Sequence, residues 1–197
     1  VFASASISTL LLIAASLGLY GTAPWLAFIE RIPASRELYE IPQLWEKIPS
    51  LYSFLRLSGA EHGLAITLQT CALVVVLALT CLTWFRGGAY RARAAMLAAG
   101  TLLMPPYLLY YDYAVIAVII AFLAADGMER RWQPGDQIVL IIAAISPLAG
   151  SLLANNTGIQ LGWFATAALF AVAMRRAWVK APEGAAANPP EPAQSNS

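Results

Sequence analysis

The feature that most restricts the fold of this chain is an uncharged run of 23 residues, from Gly63 to Phe85. A helix needs about 20 apolar residues to cross the hydrocarbon core of a bilayer, so this run is long enough to span it. The whole chain agrees, with 59% hydrophobic residues, 12% charged residues and a mean hydropathy of +0.65. A soluble domain carries about 25% charged residues. The sequence therefore predicts an all-α integral membrane protein.

Three further apolar runs and one long ambiguous region predict a polytopic bundle of about six spans. The first span covers Val1 to Trp25, the fifth Ile138 to Leu153 and the sixth Ile159 to Met174. Between the second and fifth spans lie the 32 residues from Ala94 to Ala125. This region is either one overlong helix or a hairpin of two short ones.

Basic residues decide between these alternatives, because cytoplasmic loops carry an excess of lysine and arginine. If residues 94–125 crossed the membrane once, the first two basic clusters would lie on opposite sides. If they cross twice, all three clusters face the cytoplasm, so we expect the hairpin and a cytoplasmic C-terminus. The clusters are Arg86, Arg91 and Arg93, then Arg130 and Arg131, then Arg175, Arg176 and Lys180.

The turn of the predicted hairpin places two prolines, four tyrosines and one carboxylate at the outer face. Pro105 and Pro106 lack a backbone N–H and end the third span. An ionisable group beside broken helix ends is a candidate functional residue, which singles out Asp112. Two structural explanations stay open: the tyrosines suit an interfacial aromatic belt, and Asp112 suits the N-cap of the next helix. The tyrosines are Tyr107, Tyr110, Tyr111 and Tyr113.

The outer segment from Ala27 to His62 carries the other candidates. Ser50 is placed to cap an amphipathic helix over Leu51–Leu57 that lies in the outer interface. Cations and aromatic rings here can hold a lipid phosphate and pack on an isoprenoid or sugar, or they can be ordinary headgroup anchors. His62 is a candidate acid/base or pyrophosphate-binding group, or an interfacial histidine with a water partner. The cations are Lys47 and Arg56, and the aromatic residues are Trp45, Tyr52 and Phe54.

Other features narrow the class of protein. The net charge of +1 and the lack of a dense basic tract argue against nucleic acid as a partner. No phosphate-binding glycine loop, cysteine–histidine metal spacing or Ser/His/Asp set is present, so we expect no cofactor and no metal. Gln69, inside the second span, is expected to hydrogen-bond a neighbouring helix. Residues 1–180 are predicted to form the membrane domain, and residues 181–197 a disordered cytoplasmic tail.

Two stretches of the chain resemble segments of glycosyltransferase family 87. Trp45–Ser50 followed by Phe54–Gly59 is similar to the family's loop-to-span signature, and Pro106–Tyr113 is similar to its aromatic–aspartate segment. Their order and spacing match the C-terminal half of the family. The resemblance implies a multi-span enzyme of the GT-C class in the cytoplasmic (inner) membrane. It would move a hexose, mannose in the studied members, from a polyprenyl-phosphate donor to a lipid or glycan acceptor at the outer face.

The resemblance also implies roles for individual residues. The acceptor-activating aspartate of the family lies in an early outer loop without a counterpart here. Because the chain opens inside an apolar run without an initiator methionine, we expect a C-terminal portion of a larger protein, with the catalytic base upstream. The implied donor-phosphate ligands are Lys47, Arg56 and His62, the sugar-contacting or orienting residues are Asp112, Tyr111 and Tyr113, and the lipid-contacting aromatics are Trp45, Tyr52 and Phe54.

Two alternatives from other functional classes stay open. Short, proline-interrupted spans around an acidic group are typical of the discontinuous-helix site of a transporter or lipid flippase. Against that reading, the other apolar runs hold no charges to couple ions. A non-catalytic membrane scaffold, in which the aromatic turn is only a belt, is the third reading.

Overall fold

The computed structural model describes residues 2–39, 41–157 and 159–179, and all regular structure within these ranges is helical. The predicted all-α class is therefore confirmed. The chain divides into two compact units, Val1–Ile41 and Pro42–Ser197. The predicted tail, residues 181–197, lies outside the described residues.

The first unit contains two helices, α1 (Phe2–Tyr20) and α2 (Ala23–Tyr39). The first predicted span, Val1 to Trp25, is not one straight helix, because the chain turns by 112° between these helices. Gly21 ends α1 with a φ of +73°, a conformation that glycine adopts without steric cost. Across the bend, Trp25 Nε1 donates a hydrogen bond of 3.2 Å to Ser16 Oγ.

Within its described residues, the second unit begins with two short helices, continues with a long helix and then forms a packed group of helices. Its elements are α3 (Pro42–Trp45), α4 (Leu51–Leu57), α5 (His62–Arg86), α6 (Tyr90–Leu103), a 3-10 helix (Tyr110–Ala114), α7 (Val115–Arg130), α8 (Asp136–Thr157) and α9 (Leu161–Trp178). α6 lies at the centre, where it packs against α5, α7 and α9, and α8 packs against α9.

The central helix α6 is short and rich in alanine, and small side chains let neighbouring helices approach closely. Its buried residues recur at the three- and four-residue spacing of one helical face. They include Ala92, Ala95, Met96, Ala99, Gly100 and Leu103. α9 shows the same spacing, and its buried face includes Leu169, Ala173 and Arg176. The core of the second unit therefore lies between α6 and its neighbours.

Residues 94–125 form a helical hairpin and not one overlong helix, because α6 and α7 are separate helices that pack against each other on either side of Pro105–Pro106. That this hairpin crosses the membrane twice stays a prediction. Arg91, near the start of α6, forms an ion pair with Glu129, near the end of α7, so the two helices run antiparallel. The predicted basic clusters meet at this end of the second unit. Arg130 NH2, for example, donates a hydrogen bond of 3.0 Å to the carbonyl of Arg176.

The prediction of about six spans is not confirmed. Among the described residues, His62–Arg86 and Tyr110–Arg130 are long and apolar enough to cross a membrane, and the bent pair in the first unit would be a third span. α6 has 14 residues and the apolar helix Asp136–Gly150 is also short, so both fall below the roughly 20 residues that a span requires. The hairpin thus joins one short arm to one arm of spanning length.

The predicted cap of α4 is confirmed, but its surroundings differ from the prediction. Ser50 Oγ accepts a hydrogen bond of 3.1 Å from Ser53 N at the start of Leu51–Leu57. The outer segment, residues 27–62, is largely helical, through α2, α3 and α4. α4 packs against α5 and buries Tyr52, so it is not a helix lying alone in the interface.

Candidate functional site

The predicted site residues belong to one end of the second unit. There, α3 and α4 meet the N-terminus of α5, the C-terminus of α6, the 3-10 helix and the N-terminus of α9 through a connected set of hydrogen bonds. Residues 45–62, 103–113 and 160–166 make up this region, which we refer to as the candidate site. Four sequence features determine its structure: the Ser50 cap, the break at Pro105–Pro106, and the buried Gln69 and Gln160.

Two of the aromatic residues expected to contact lipid make contacts inside the protein. Tyr52 is fully buried, and its Oη lies 3.0 Å from Nδ1 of the exposed His62, in a hydrogen bond whose donor depends on the histidine tautomer. The Tyr52 ring also meets Tyr107 edge to face, with centroids 5.4 Å apart. Phe54 meets Phe164 in the same way at 5.2 Å. Tyr52 faces inward because this side of α4 packs against α5.

Gln69 holds three chain segments together at the candidate site. Its Oε1 accepts a hydrogen bond of 3.1 Å from Tyr52 N, and its Nε2 donates hydrogen bonds of 3.0 Å to the carbonyls of Leu103 and Met104. These carbonyls end α6 just before Pro105–Pro106, where the chain supplies no N–H to continue the helical bonding. The expectation that Gln69 bonds a neighbouring helix is confirmed.

The two cations of the outer segment have different surroundings. The Arg56 guanidinium lies over the Trp45 ring, with 4.4 Å from Cζ to the centroid, and NH1 donates a hydrogen bond of 3.1 Å to the carbonyl of Ala60. Arg56 is therefore half-buried and fixed in orientation. Lys47, two residues after Trp45, is exposed. Stacking on an indole stabilises a guanidinium by about 0.5–1 kcal/mol at exposed sites.

The aromatic–aspartate turn separates into accessible and buried residues. Asp112 is half-buried, and its Oδ2 accepts a hydrogen bond of 3.1 Å from Leu109 N, which is a capping role. Its Oδ1 accepts no hydrogen bond from the described residues. Tyr111 is 74% exposed. Tyr113 is buried, and its Oη donates a hydrogen bond of 3.1 Å to the carbonyl of Pro49, so it ties the 3-10 helix to the segment before α4.

Gln160, which was not among the predicted site residues, adds two further hydrogen bonds to the candidate site. It is fully buried, its Nε2 donates a hydrogen bond of 2.6 Å to the carbonyl of Trp45, and Tyr110 Oη donates to its Oε1 at 3.5 Å. The bond to Trp45 fixes the backbone beneath the ring that carries Arg56. An amide inside an apolar run was the available signal, and the same signal singled out Gln69.

A buried ionic cluster at the opposite end of the second unit was also missed. Arg176 is 2% exposed, donates a hydrogen bond of 2.6 Å to Asp126 Oδ2 and forms an ion pair with Asp136. Arg130 donates two hydrogen bonds to Asp126, at 2.9 and 2.7 Å, and Arg175 pairs with Asp136. These contacts join α7, α8 and α9. In the sequence these arginines resemble loop charges, and the carboxylates that contact Arg176 lie 40 and 50 residues away in the chain.

The candidate site offers cations and hydrogen-bonding groups. Lys47 and His62 are exposed, Arg56 is half-buried and Asp112 has one carboxylate oxygen available, a set that suits an anionic group next to hydroxyls. In residues 2–39, 41–157 and 159–179, no three His, Cys, Asp or Glu side chains are grouped to hold a metal ion.

Comparison with known proteins gives one family match. The model of "Glycosyltransferase family 87" matches residues 1–109, more than half of the chain. The matched range includes Trp45, Lys47, Arg56 and His62 and ends just before the 3-10 helix. No curated protein and no solved structure gives a significant match.

Proposed function

The chain belongs to glycosyltransferase family 87, and from that premise we propose that its candidate site binds a polyprenyl-phosphate hexose, with mannose as the expected sugar. Membership of the family implies a membrane glycosyltransferase that acts on a sugar donor and an acceptor. The proposal adds the type of donor, the outer face of the cytoplasmic membrane as the place of transfer and the GT-C class. Its support is the chemistry of the candidate site.

The observation that carries the proposal is a set of two cations, Lys47 and Arg56, and one histidine, His62, beside buried hydrogen-bonded residues. Arg56 is oriented by the Trp45 ring and the carbonyl of Ala60, and His62 is oriented by Tyr52. Side chains fixed in this way lose little freedom when they bind an anion, which is how preorganised groups stabilise developing charge.

The tautomer of His62 decides what its outer nitrogen can do. If Tyr52 Oη donates to Nδ1, the proton of the neutral imidazole lies on Nε2, which then acts as a hydrogen-bond donor. A phosphate oxygen is the matching acceptor.

Asp112 and Tyr111 are the proposed sugar contacts. Asp112 Oδ1 accepts from no described residue, so it is available to a sugar hydroxyl while Oδ2 keeps the cap on Leu109 N. Tyr111 is exposed and offers a ring face beside it. Tyr113 is buried against Pro49 and is a positioning residue in this proposal.

The proposed reaction is a displacement at the anomeric carbon. An acceptor oxygen forms the new bond as the bond from the anomeric carbon to the phosphate oxygen breaks, and the electron pair leaves with polyprenyl phosphate. The acceptor proton goes to a base, which by the family resemblance is an aspartate of an outer loop. Lys47, Arg56 and His62 stabilise the negative charge of the departing phosphate.

Transfer assays in proteoliposomes test the proposal. The full-length protein would be supplied with radiolabelled polyprenyl-phosphate mannose and membrane acceptors, and kcat/KM would be compared among variants. Losing one charge-stabilising group at a reaction centre costs about 10²–10³-fold, so we expect a loss near 100-fold for Arg56→Gln. Arg131→Gln removes the same charge from the opposite end, so its kcat/KM should stay within about twofold.

Unchanged transfer in both Arg56→Gln and His62→Gln, with normal folding, would contradict the proposal. Equal losses in Arg56→Gln and Arg131→Gln would also count against it, because a general effect of charge would then explain the result. Asp112→Asn keeps a side-chain oxygen as a cap, so a drop in transfer with unchanged thermal stability would support the sugar contact.

A further inference from the structure

A pocket of about 920 Å³ lies at the end of the second unit opposite the candidate site. α5 has 25 residues, so His62 at its start and Arg86 at its end are about 36 Å apart along the helix axis. The pocket shares no residue with the candidate site. Its lining comes from the α5–α6 connection, the last turns of α7 and the end of α9, and the polar side chains among it are Arg86, Tyr90, Arg91, Asp126, Glu129 and Arg130.

We propose that this pocket binds a phosphate anion, and that an anionic membrane lipid supplies it as its headgroup. Three arginines and two carboxylates line the pocket, which leaves one positive charge in excess, the charge that one phosphodiester neutralises. Arginine is well suited to this ligand, because its planar fork of N–H groups matches phosphate oxygens.

Arg86 is the first proposed phosphate ligand. It is exposed, and its guanidinium lies over the Trp178 ring, with 5.0 Å from Cζ to the centroid. Trp178 is held in place because its Nε1 donates a hydrogen bond of 2.9 Å to Thr83 Oγ1. Arg86 has no carboxylate partner among the described residues, so its N–H groups are available to a ligand while the ring fixes its orientation.

Arg91 is the second proposed ligand, because its present partner is weakly held. The side chains of Arg91 and Glu129 are 39% and 61% exposed. Exposed ion pairs add little stability, so Arg91 can turn to a phosphate with little loss. Arg130, by contrast, is committed to Asp126 by two hydrogen bonds and serves as fixed positive charge in the pocket wall.

The rim of the pocket favours a lipid over a soluble phosphate as the source. Next to Arg86, Phe85 is 90% exposed, and Tyr90 and Trp178, both in the lining, are 63% and 41% exposed. Aromatic residues beside arginines are typical of the level where headgroups meet acyl chains. A headgroup in the pocket would leave its acyl chains to run along the exposed face of α5 beside Phe85.

Native mass spectrometry of the full-length protein in detergent tests the proposal. The probes are phosphatidylglycerol, phosphatidylcholine as the zwitterionic control, and glycerol 3-phosphate as a soluble phosphate. We expect phosphatidylglycerol to bind at least tenfold more tightly than phosphatidylcholine. Arg86→Gln and Arg91→Gln should each weaken that binding about tenfold, and Arg131→Gln, which removes a nearby charge outside the pocket, should change it less than twofold.

The soluble probe identifies the source of the phosphate. Retention of phosphatidylglycerol in excess glycerol 3-phosphate supports the headgroup, and saturable binding of glycerol 3-phosphate that requires Arg86 supports a phosphate site filled from solution. Equal binding of the two lipids would overturn the proposal, and so would equal losses in Arg86→Gln and Arg131→Gln. The variants leave the candidate site intact, so a failure here is distinguishable from a failure of the transfer assays.

Discussion

Replacing Arg176 by methionine is the sharpest test of how the second unit is held together. The Arg176 side chain is 2% exposed and contacts Asp126, Asp136 and the carbonyl of Arg131, the last at 3.1 Å. Methionine keeps a flexible apolar stem of similar reach, so the change removes the charge and the donors with little change in volume. Two carboxylates, each 1–2% exposed, then lose their central partner.

The expected loss of unfolding free energy depends on the contacts that the two carboxylates keep in the variant. Removing one partner of a buried ion pair costs about 3–5 kcal/mol. Asp126 keeps two hydrogen bonds from Arg130 and Asp136 keeps Arg175, so we expect the lower end, about 3 kcal/mol. That corresponds to a roughly 100-fold change in the folding equilibrium constant. Arg175→Met should lower the free energy of unfolding by less than about 1 kcal/mol, because Arg175 is 44% exposed and Asp136 keeps its ion pair with Arg176.

Unfolding in mixed micelles of increasing SDS fraction, followed by circular dichroism, measures both variants against the parent protein. A loss in Arg176→Met no larger than that in Arg175→Met would refute the reasoning. Adding Asp136→Asn to Arg176→Met separates two causes. If a stranded carboxylate dominates the loss, the double variant recovers part of it, whereas no recovery would assign the loss to packing.

Two further predictions concern the packing at the candidate site, with the same unfolding measurement. Gln69→Leu should lower the free energy of unfolding by about 3 kcal/mol, because one buried N–H and two carbonyls lose their partner and each such loss costs about 1–3 kcal/mol. Thr70→Val, on the exposed side of α5, is the control and should change that free energy little. Gly162→Ala should lower the free energy of unfolding by about 1–3 kcal/mol, because the added Cβ would lie 2.9 Å from the Tyr113 ring. In the control Gly63→Ala, the added Cβ meets nothing within 4 Å, so the protein should not be destabilised. A Gln69→Leu loss equal to that of Thr70→Val, or matching results for the two glycines, would show that the described contacts do not limit stability.

The features predicted correctly are those that neighbouring residues encode. Pro105–Pro106 divides residues 94–125 because two successive positions lack a backbone donor. Ser50 caps α4 because its hydroxyl reaches the N–H three residues ahead. The bend at Gly21 uses equally local chemistry, with Pro24 at the start of the next helix. It was missed because apolar residues continue on both sides, which favoured one span over two helices.

The features that were missed depend on partners far away in the sequence. Arg176 lies seven residues after Leu169 and three after Ala173, so helical spacing alone places it on the buried face of α9. Nothing in that spacing identifies Asp126 or Asp136 as its partners. Tyr52 is similar, because its burial follows from how α4 docks on α5. Contacts between residues so far apart in the sequence can be identified only once the fold is known.

The basic end of the second unit explains why counting arginines predicted the hairpin although many are not loop charges. Arg91, Arg130 and Arg176 are paired with carboxylates in the structure. Acidic residues contribute little to membrane orientation, so the pairing leaves the positive-inside argument intact. Arg86 and Arg131 have no carboxylate partner in the part of the chain that the structure describes. Paired arginines therefore fasten the helices to one another, whereas Arg86 lines a pocket without a carboxylate partner among the described residues, which is why a phosphate site is expected there.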